Sequence, residues 1–133
     1  MIEWQELLIH NKEADIPPEH LANMRTLLER INLVRLAYGK PMIVTSCYRT
    51  LKQQKAIYER IGKYKVPLSS KHMVGAAVDI LDRDGTLYSW TRARPDLLEK
   101  ADLYCELGTH GWVHYQILPF GSYEPGGTRW FNP

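Results

Sequence analysis

Cysteine is scarce in this 133-residue chain, which holds only Cys47 and Cys105. Two cysteines do not build a disulfide framework, and neither belongs to a CxxC pair, which excludes a cysteine-rich zinc site. They read as two buried thiols of a reducing compartment. Long hydrophobic runs are also missing. Nothing approaches the ~20 apolar residues that span a bilayer, so no membrane insertion is expected. The first residues, MIEWQELLIHNKEAD, carry two acids within the first six positions and no basic stretch. No signal peptide is expected, and the chain reads as made in the cytoplasm. Charge of one sign is lacking too: the net charge is +2, with acids and bases interspersed. That leaves no electrostatic case for nucleic acid or an anionic membrane. There is no internal repeat, low-complexity tract or linker. With 44% hydrophobic and 24% charged residues, residues 1–133 read as one folded domain, expected to be a monomer.

What is present has a clear order. Residues 3–9 predict a short helix. Asp15, Pro17 and Pro18 resemble a helix start, and Leu21, Met24, Leu28, Ile31 and Tyr38 recur at helical spacing, supported by Leu27 and Val34. A helix over about residues 18–38 follows, ended by Gly39 and Pro41. Met42-Ile43-Val44-Thr45 predicts a short strand. Thr50 and Gln53 form a capping box that starts a helix running to about Ile61. Residues 62–75 read as a loop and Ala76–Leu81 as a strand, closed by the turn Asp82-Arg83-Asp84-Gly85. Pro95 opens another helix, through about Lys100. Leu103–Glu106 could extend that helix or form a strand. Trp112–Ile117 alternates as a strand, and the tail from Pro119 reads as coil. Helices come first and the strands are not interleaved with long helices. This predicts an α+β fold with a small antiparallel sheet.

Three residues stand out chemically. His72 ends a polar loop, and Asp79 follows seven positions later inside an apolar strand. A carboxylate between Val78 and Ile80 is costly to bury unless it is paired or binds a metal. His114 sits in a strand between Val113 and Tyr115. Two imidazoles and one carboxylate are a common zinc shell with an open fourth position. Such a metal acidifies water and polarises a carbonyl. Taken alone, the same residues also fit two core or surface histidines and a turn aspartate.

The pattern Ser70-x-His72-x-x-Gly75-x-Ala77-x-Asp79, followed by Trp112-x-His114, resembles the signature of the M15 family of zinc peptidases. These are D-Ala-D-Ala carboxypeptidases and related peptidoglycan peptidases. Ser46-Cys47-Tyr48-Arg49-Thr50 is similar to the S-x-Y-R-T element of that family. The stretch around Leu103–Glu106 and Trp112–Gln116 resembles a small-domain branch found in bacteriophages and prophages. The resemblance runs from about Pro18 to Gln116. It implies a Hedgehog/DD-peptidase-like domain whose N-terminal helices pack on a sheet carrying one Zn2+, held by His72, Asp79 and His114. It implies a peptidoglycan stem peptide as substrate, cut by a carboxypeptidase or an endolysin-type endopeptidase. A phage-encoded protein that reaches the wall by lysis or in the virion fits the absent signal peptide.

Arg49 offers a planar fork for a substrate carboxylate or an oxyanion. Ser70 and Tyr48 are candidate substrate contacts, and Ser46 either binds substrate or caps a turn. Trp112 reads as core packing, His10 and His20 as surface residues, and Asp82 and Asp84 as turn residues. One departure stands out: many family members carry an acid three residues before the last zinc ligand, and here that position is Gly111. Glu106, which matches a glutamate of the phage-type sequences, is the first candidate for general base. His110 is a candidate for steadying the oxyanion. The departure also leaves a rival open, a non-catalytic zinc-stabilised module that binds cell wall or serves in a phage particle.

Overall fold

The computed structural model describes residues 1–63, 65–67, 69–121 and 127–133. The chain opens with α1 (Trp4–Leu8) and then α2 (Pro18–Tyr38), which begins on a proline in its first turn. Gly39 closes α2 at φ 72, a left-handed conformation that suits glycine. Met24, Leu27, Ile31 and Val34 are fully buried along one stripe of α2, at the three-and-four spacing a helix needs to keep one face inward. β1 (Val44–Ser46) follows, then α3 (Leu51–Arg60). The expected capping box is formed: Thr50 Oγ1 accepts from the Gln53 amide at 3.1 Å, and Gln53 Oε1 accepts from the Thr50 amide at 2.9 Å. A 3-10 turn, Lys71–Val74, the second after one at Glu13–Asp15, leads into β2 (Ala77–Asp82). Then come α4 (Thr86–Arg92), α5 (Pro95–Ala101), β3 (Tyr104–Glu106), β4 (Gly111–Gln116) and β5 (Trp130–Phe131).

The five strands form one sheet in the order β1-β2-β4-β3-β5. The first three pairings are antiparallel, as expected, but β5 runs parallel to β3, so the sheet is mixed. The tail therefore supplies an edge strand where the sequence predicts coil; residues 122–126 lie outside the described residues. Arg129 holds that strand in place. Its side chain, 9% exposed, reaches Glu99 Oε2 at 2.6 Å and Asp102 Oδ1 at 2.9 Å on α5 and its end. The Arg129 and Phe131 carbonyls accept from the Cys105 and Leu107 amides.

Val78, Ile80, Val113, Tyr115 and Cys105 bury the opposite sheet face from the site and join Leu7, Leu87, Leu98 and the α2 stripe in one core. α4 has no counterpart among the elements expected from the sequence. Its residues, TLYSWTR, are poor in strong helix formers. It is held from outside itself, because the Asp82 carboxylate accepts from the Leu87 and Tyr88 amides, both at 2.9 Å. Those are orphan donors of a helix first turn. Asp84 accepts from the Thr86 amide in the same turn.

Candidate active site

The register of the sheet lines up the candidate residues. Ser46 pairs with Asp79, and Asp79 with His114. Cys105 pairs with Tyr115, so the next step along the same ladder sets Glu106 beside His114, and Glu106 in turn pairs with Phe131. Directly opposed residues share a sheet face. One row across all five strands thus carries Ser46, Asp79, His114, Glu106 and Phe131.

His72 arrives from the 3-10 turn. Ser70 Oγ accepts from the His72 amide at 3.3 Å, and Gly75 ends the turn at φ 74. Glycine is required there twice over. The conformation is left-handed, and a Cβ would lie 2.7 Å from the His20 carbonyl oxygen and 2.8 Å from Met24 Cγ on α2.

The ligand atoms of His72, Asp79 and His114 all lie within 4.8 Å of one another, and all three residues are buried. His72 Nε2 is 3.2 Å and His114 Nδ1 2.8 Å from the same oxygen, Asp79 Oδ1. The outer partners decide which nitrogens carry protons. His72 Nδ1 lies 2.7 Å from the Cys47 carbonyl oxygen, which only accepts, so Nδ1 donates. Gln116 Nε2 donates to the Leu118 carbonyl at 2.6 Å, which turns Gln116 Oε1 towards His114 Nε2 at 2.8 Å, so that nitrogen donates too. In neutral imidazoles the two remaining nitrogens are lone pairs facing a carboxylate oxygen. Three electron-pair donors converging in a buried space repel one another unless a cation or a proton sits among them. The donor set therefore fits a metal ion, and Cys47 O and Gln116 are the outer partners that aim its histidines. Gln116 is a partner of the cluster that the sequence reading misses, although its place two residues after His114 on one strand face points to it.

Burial pushes Asp79 up, but the charges and hydrogen bonds of His72 and His114 outweigh it and hold the carboxyl well below the usual range. Burial dominates at His72 and lowers its pKa against the pull of Asp79. At His114 burial acts downward, but the hydrogen bond and charge of Asp79 prevail and the pKa is raised. Burial raises Glu106, with His114 opposing and Asp79 assisting. Burial pushes the Cys47 thiol up to about 12 and the Cys105 thiol well above its usual value, so neither is a ready nucleophile.

A cleft of about 420 Å³ opens over this row, lined by Glu106, His114, Gln116, Ser70, Lys71 and Phe131 among others. Arg49 approaches from the other side of Asp79, with Nη2 3.4 Å from Asp79 Oδ2 and Nε 2.9 Å from Ser46 Oγ. Three candidates fall outside the cleft. Arg49 itself borders a second cavity, with Ser46, Tyr48 and Gln53. Tyr48 is 8% exposed, part of the core and ring-packed on His20 at 5.7 Å, so it does not line the cleft. His110 is exposed in the β3–β4 turn and borders a separate cavity with Arg83, Asp84 and Tyr88. Trp112 is 38% exposed instead of packed in the core. His10 is exposed as expected; His20 is half-buried, with Nδ1 unpartnered among the described residues. At Gly111, φ is 94, a conformation that side chains resist.

The sequence matches the family model for peptidase M15 over residues 2–114. The chain belongs to the peptidase M15 family. M15 peptidases are metallopeptidases, in keeping with the His72, Asp79 and His114 cluster of this member. Among solved structures, this M15 chain is similar to a crystal structure of the L-Ala D-Glu endopeptidase ChiX of Serratia marcescens. The TM-score is 0.52 at 18% identity, covering 80% of this chain and 94% of that chain. At that identity the likeness bears on the fold, an α+β domain. Among curated proteins no sequence matches.

Proposed function

We propose that this M15 peptidase is a zinc enzyme that hydrolyses peptide bonds in peptidoglycan stem peptides. The observation that carries the reading is the convergence of His72 Nε2, Asp79 Oδ1 and His114 Nδ1, each histidine locked by an outer hydrogen bond, beside a cleft that His114 and Glu106 both line. Zinc is the fitting ion because two imidazoles and a carboxylate leave one tetrahedral position open. Bound there, it would acidify a water and polarise the scissile carbonyl.

The chain's own residues do the rest. Glu106, half-buried and beside His114, accepts the proton of the attacking water and passes it to the leaving amine. Arg49 turns N–H groups towards the carbonyl oxygen as negative charge develops on it. Ser70 borders the cleft and contributes a hydroxyl to the peptide backbone. Peptidoglycan as the substrate rests on the resemblance of the motifs and on the fold likeness to an enzyme described as an L-Ala D-Glu endopeptidase.

The test is digestion of purified peptidoglycan with and without a chelator, followed by mass spectrometry of the products. The expected result is release of new amino groups, abolished by the chelator and restored by zinc. Binding to the wall without release would sink the enzymatic reading and favour a wall-binding module.

A further inference from the structure

We propose that Gln54, a residue of α3 outside the metal cluster, is the positioning residue that sets the orientation of Arg49. Gln54 is completely buried. Its Oε1 accepts from Arg49 Nη1 at 3.1 Å, and its Nε2 donates to the Pro67 carbonyl oxygen at 3.0 Å. Only one orientation of the amide satisfies both, because a guanidinium only donates and a carbonyl only accepts. A buried amide with both ends committed is held in one rotamer.

The consequence falls on Arg49. Its three nitrogens are each engaged by a different element: Nε by Ser46 of β1, Nη1 by Gln54 of α3, Nη2 by Asp79 of β2. Three anchors in different directions fix the plane of the fork. Each terminal nitrogen then keeps one N–H to present to a substrate oxygen. Pro67 also lines the cleft. The line Pro67–Gln54–Arg49–Asp79 therefore ties a cleft wall to the group beside the metal ligand. Losing Gln54 leaves Nη1 and the Pro67 carbonyl without their partners and frees the guanidinium to rotate about its remaining contacts. The catalytic half of this inference rests on the peptidase reading above; the structural half does not.

The experiment has two readouts. The first is exchange of the Arg49 Nη1 and Nη2 groups by rotation about the Nε–Cζ bond, followed by nuclear magnetic resonance, the signals being assigned by their loss in Arg49→Lys. In the unaltered protein this exchange should be slow. In Gln54→Met, close in size but with neither hydrogen bond, exchange accelerates about tenfold or more while the backbone amides of β2 stay protected. Unchanged exchange overturns the proposal. If Gln54→Met does not fold, Gln54→Leu decides: it also removes both hydrogen bonds, and an Arg49 guanidinium that rotates no faster there overturns the proposal. The second readout is hydrolysis of a stem peptide. Gln54→Met should lower kcat/KM by about ten- to a hundredfold with metal content unchanged. In an Arg49→Ala background the same change should cost less than about twofold. Equal losses in both backgrounds overturn the positioning role. A wild-type protein that cuts no peptide refutes the peptidase reading instead, and the exchange readout still decides Gln54.

Discussion

Glu106 and His110 are the two residues near β4 that could stand in for the acid missing at Gly111, and their surroundings separate them. Glu106 stands beside His114 in the cleft, whereas His110 borders a cavity on the α4 side. Glu106→Gln is nearly isosteric and lies outside the ligand cluster. It should keep one metal per chain and lower the rate by roughly 10²–10⁴, the usual worth of a general base. His110→Ala should leave the rate within about twofold, since donor removal costs rate only where the donor faces the developing charge. Single-turnover kinetics with elemental analysis check both. A Glu106→Gln enzyme at full rate, or a His110→Ala enzyme as impaired as Glu106→Gln, would reverse the assignment. His72→Ala and His114→Ala should lose the metal, and His10→Ala should not.

Among elements, the 3-10 turn that delivers His72 depends on one contact. At Gly75 the backbone rests on α2 so closely that a methyl group would meet the His20 carbonyl. Gly75→Ala should therefore destabilise the fold by more than the ~1 kcal/mol typical of a glycine in an unfavourable conformation. It should also weaken metal binding, because the turn that carries His72 must shift. Gly62→Ala is the control: its φ is also positive, at 73, but nothing lies within 4 Å of the added carbon. Thermal unfolding of the two variants, with and without zinc, is the measurement. Equal losses of stability would show that the contact with α2 is unimportant. The α4 helix makes the related point that a segment of weak intrinsic propensity becomes helical when a carboxylate from a neighbouring strand, Asp82, caps it.

For the molecule as a whole, metal and protons compete for one site. Ligation needs neutral imidazoles, so affinity falls as pH falls. His114, raised, takes up a proton before His72, lowered, as the pH falls. Dialysis at stepped pH should show metal retained near pH 8 and lost by about pH 5; retention unchanged across that range would contradict a site built on two histidines. In the metal-free chain Asp79 ionises more readily folded than unfolded. Its contribution to stability is thus present above about pH 4 and is lost as pH falls towards its folded pKa. Zinc should raise the melting temperature in proportion to the logarithm of its concentration.

Much of this molecule is legible in the order of its residues. The α2 stripe, the Thr50–Gln53 capping box and the punctuation at Gly39, Gly62 and Pro95 are local patterns, and local patterns follow from the chemistry of neighbouring residues. The metal-binding trio is legible in a different way, through a resemblance of motifs; spacing alone leaves His72, Asp79 and His114 open to blander readings. Other features are set by contacts between segments far apart in the chain. Tyr48 turns into the core and His110 away from the cleft because of what each meets there. β5 pairs in parallel with β3, next to an Arg129 clamped by Glu99 and Asp102, residues far from it in the chain. Gln54 and Gln116 gain their roles only from partners brought to them by folding, Arg49 and Pro67 for the one, His114 and Leu118 for the other. A buried amide carries no periodicity or charge to announce it, so its part in the site is decided only when the tertiary structure brings its hydrogen-bond partners to it.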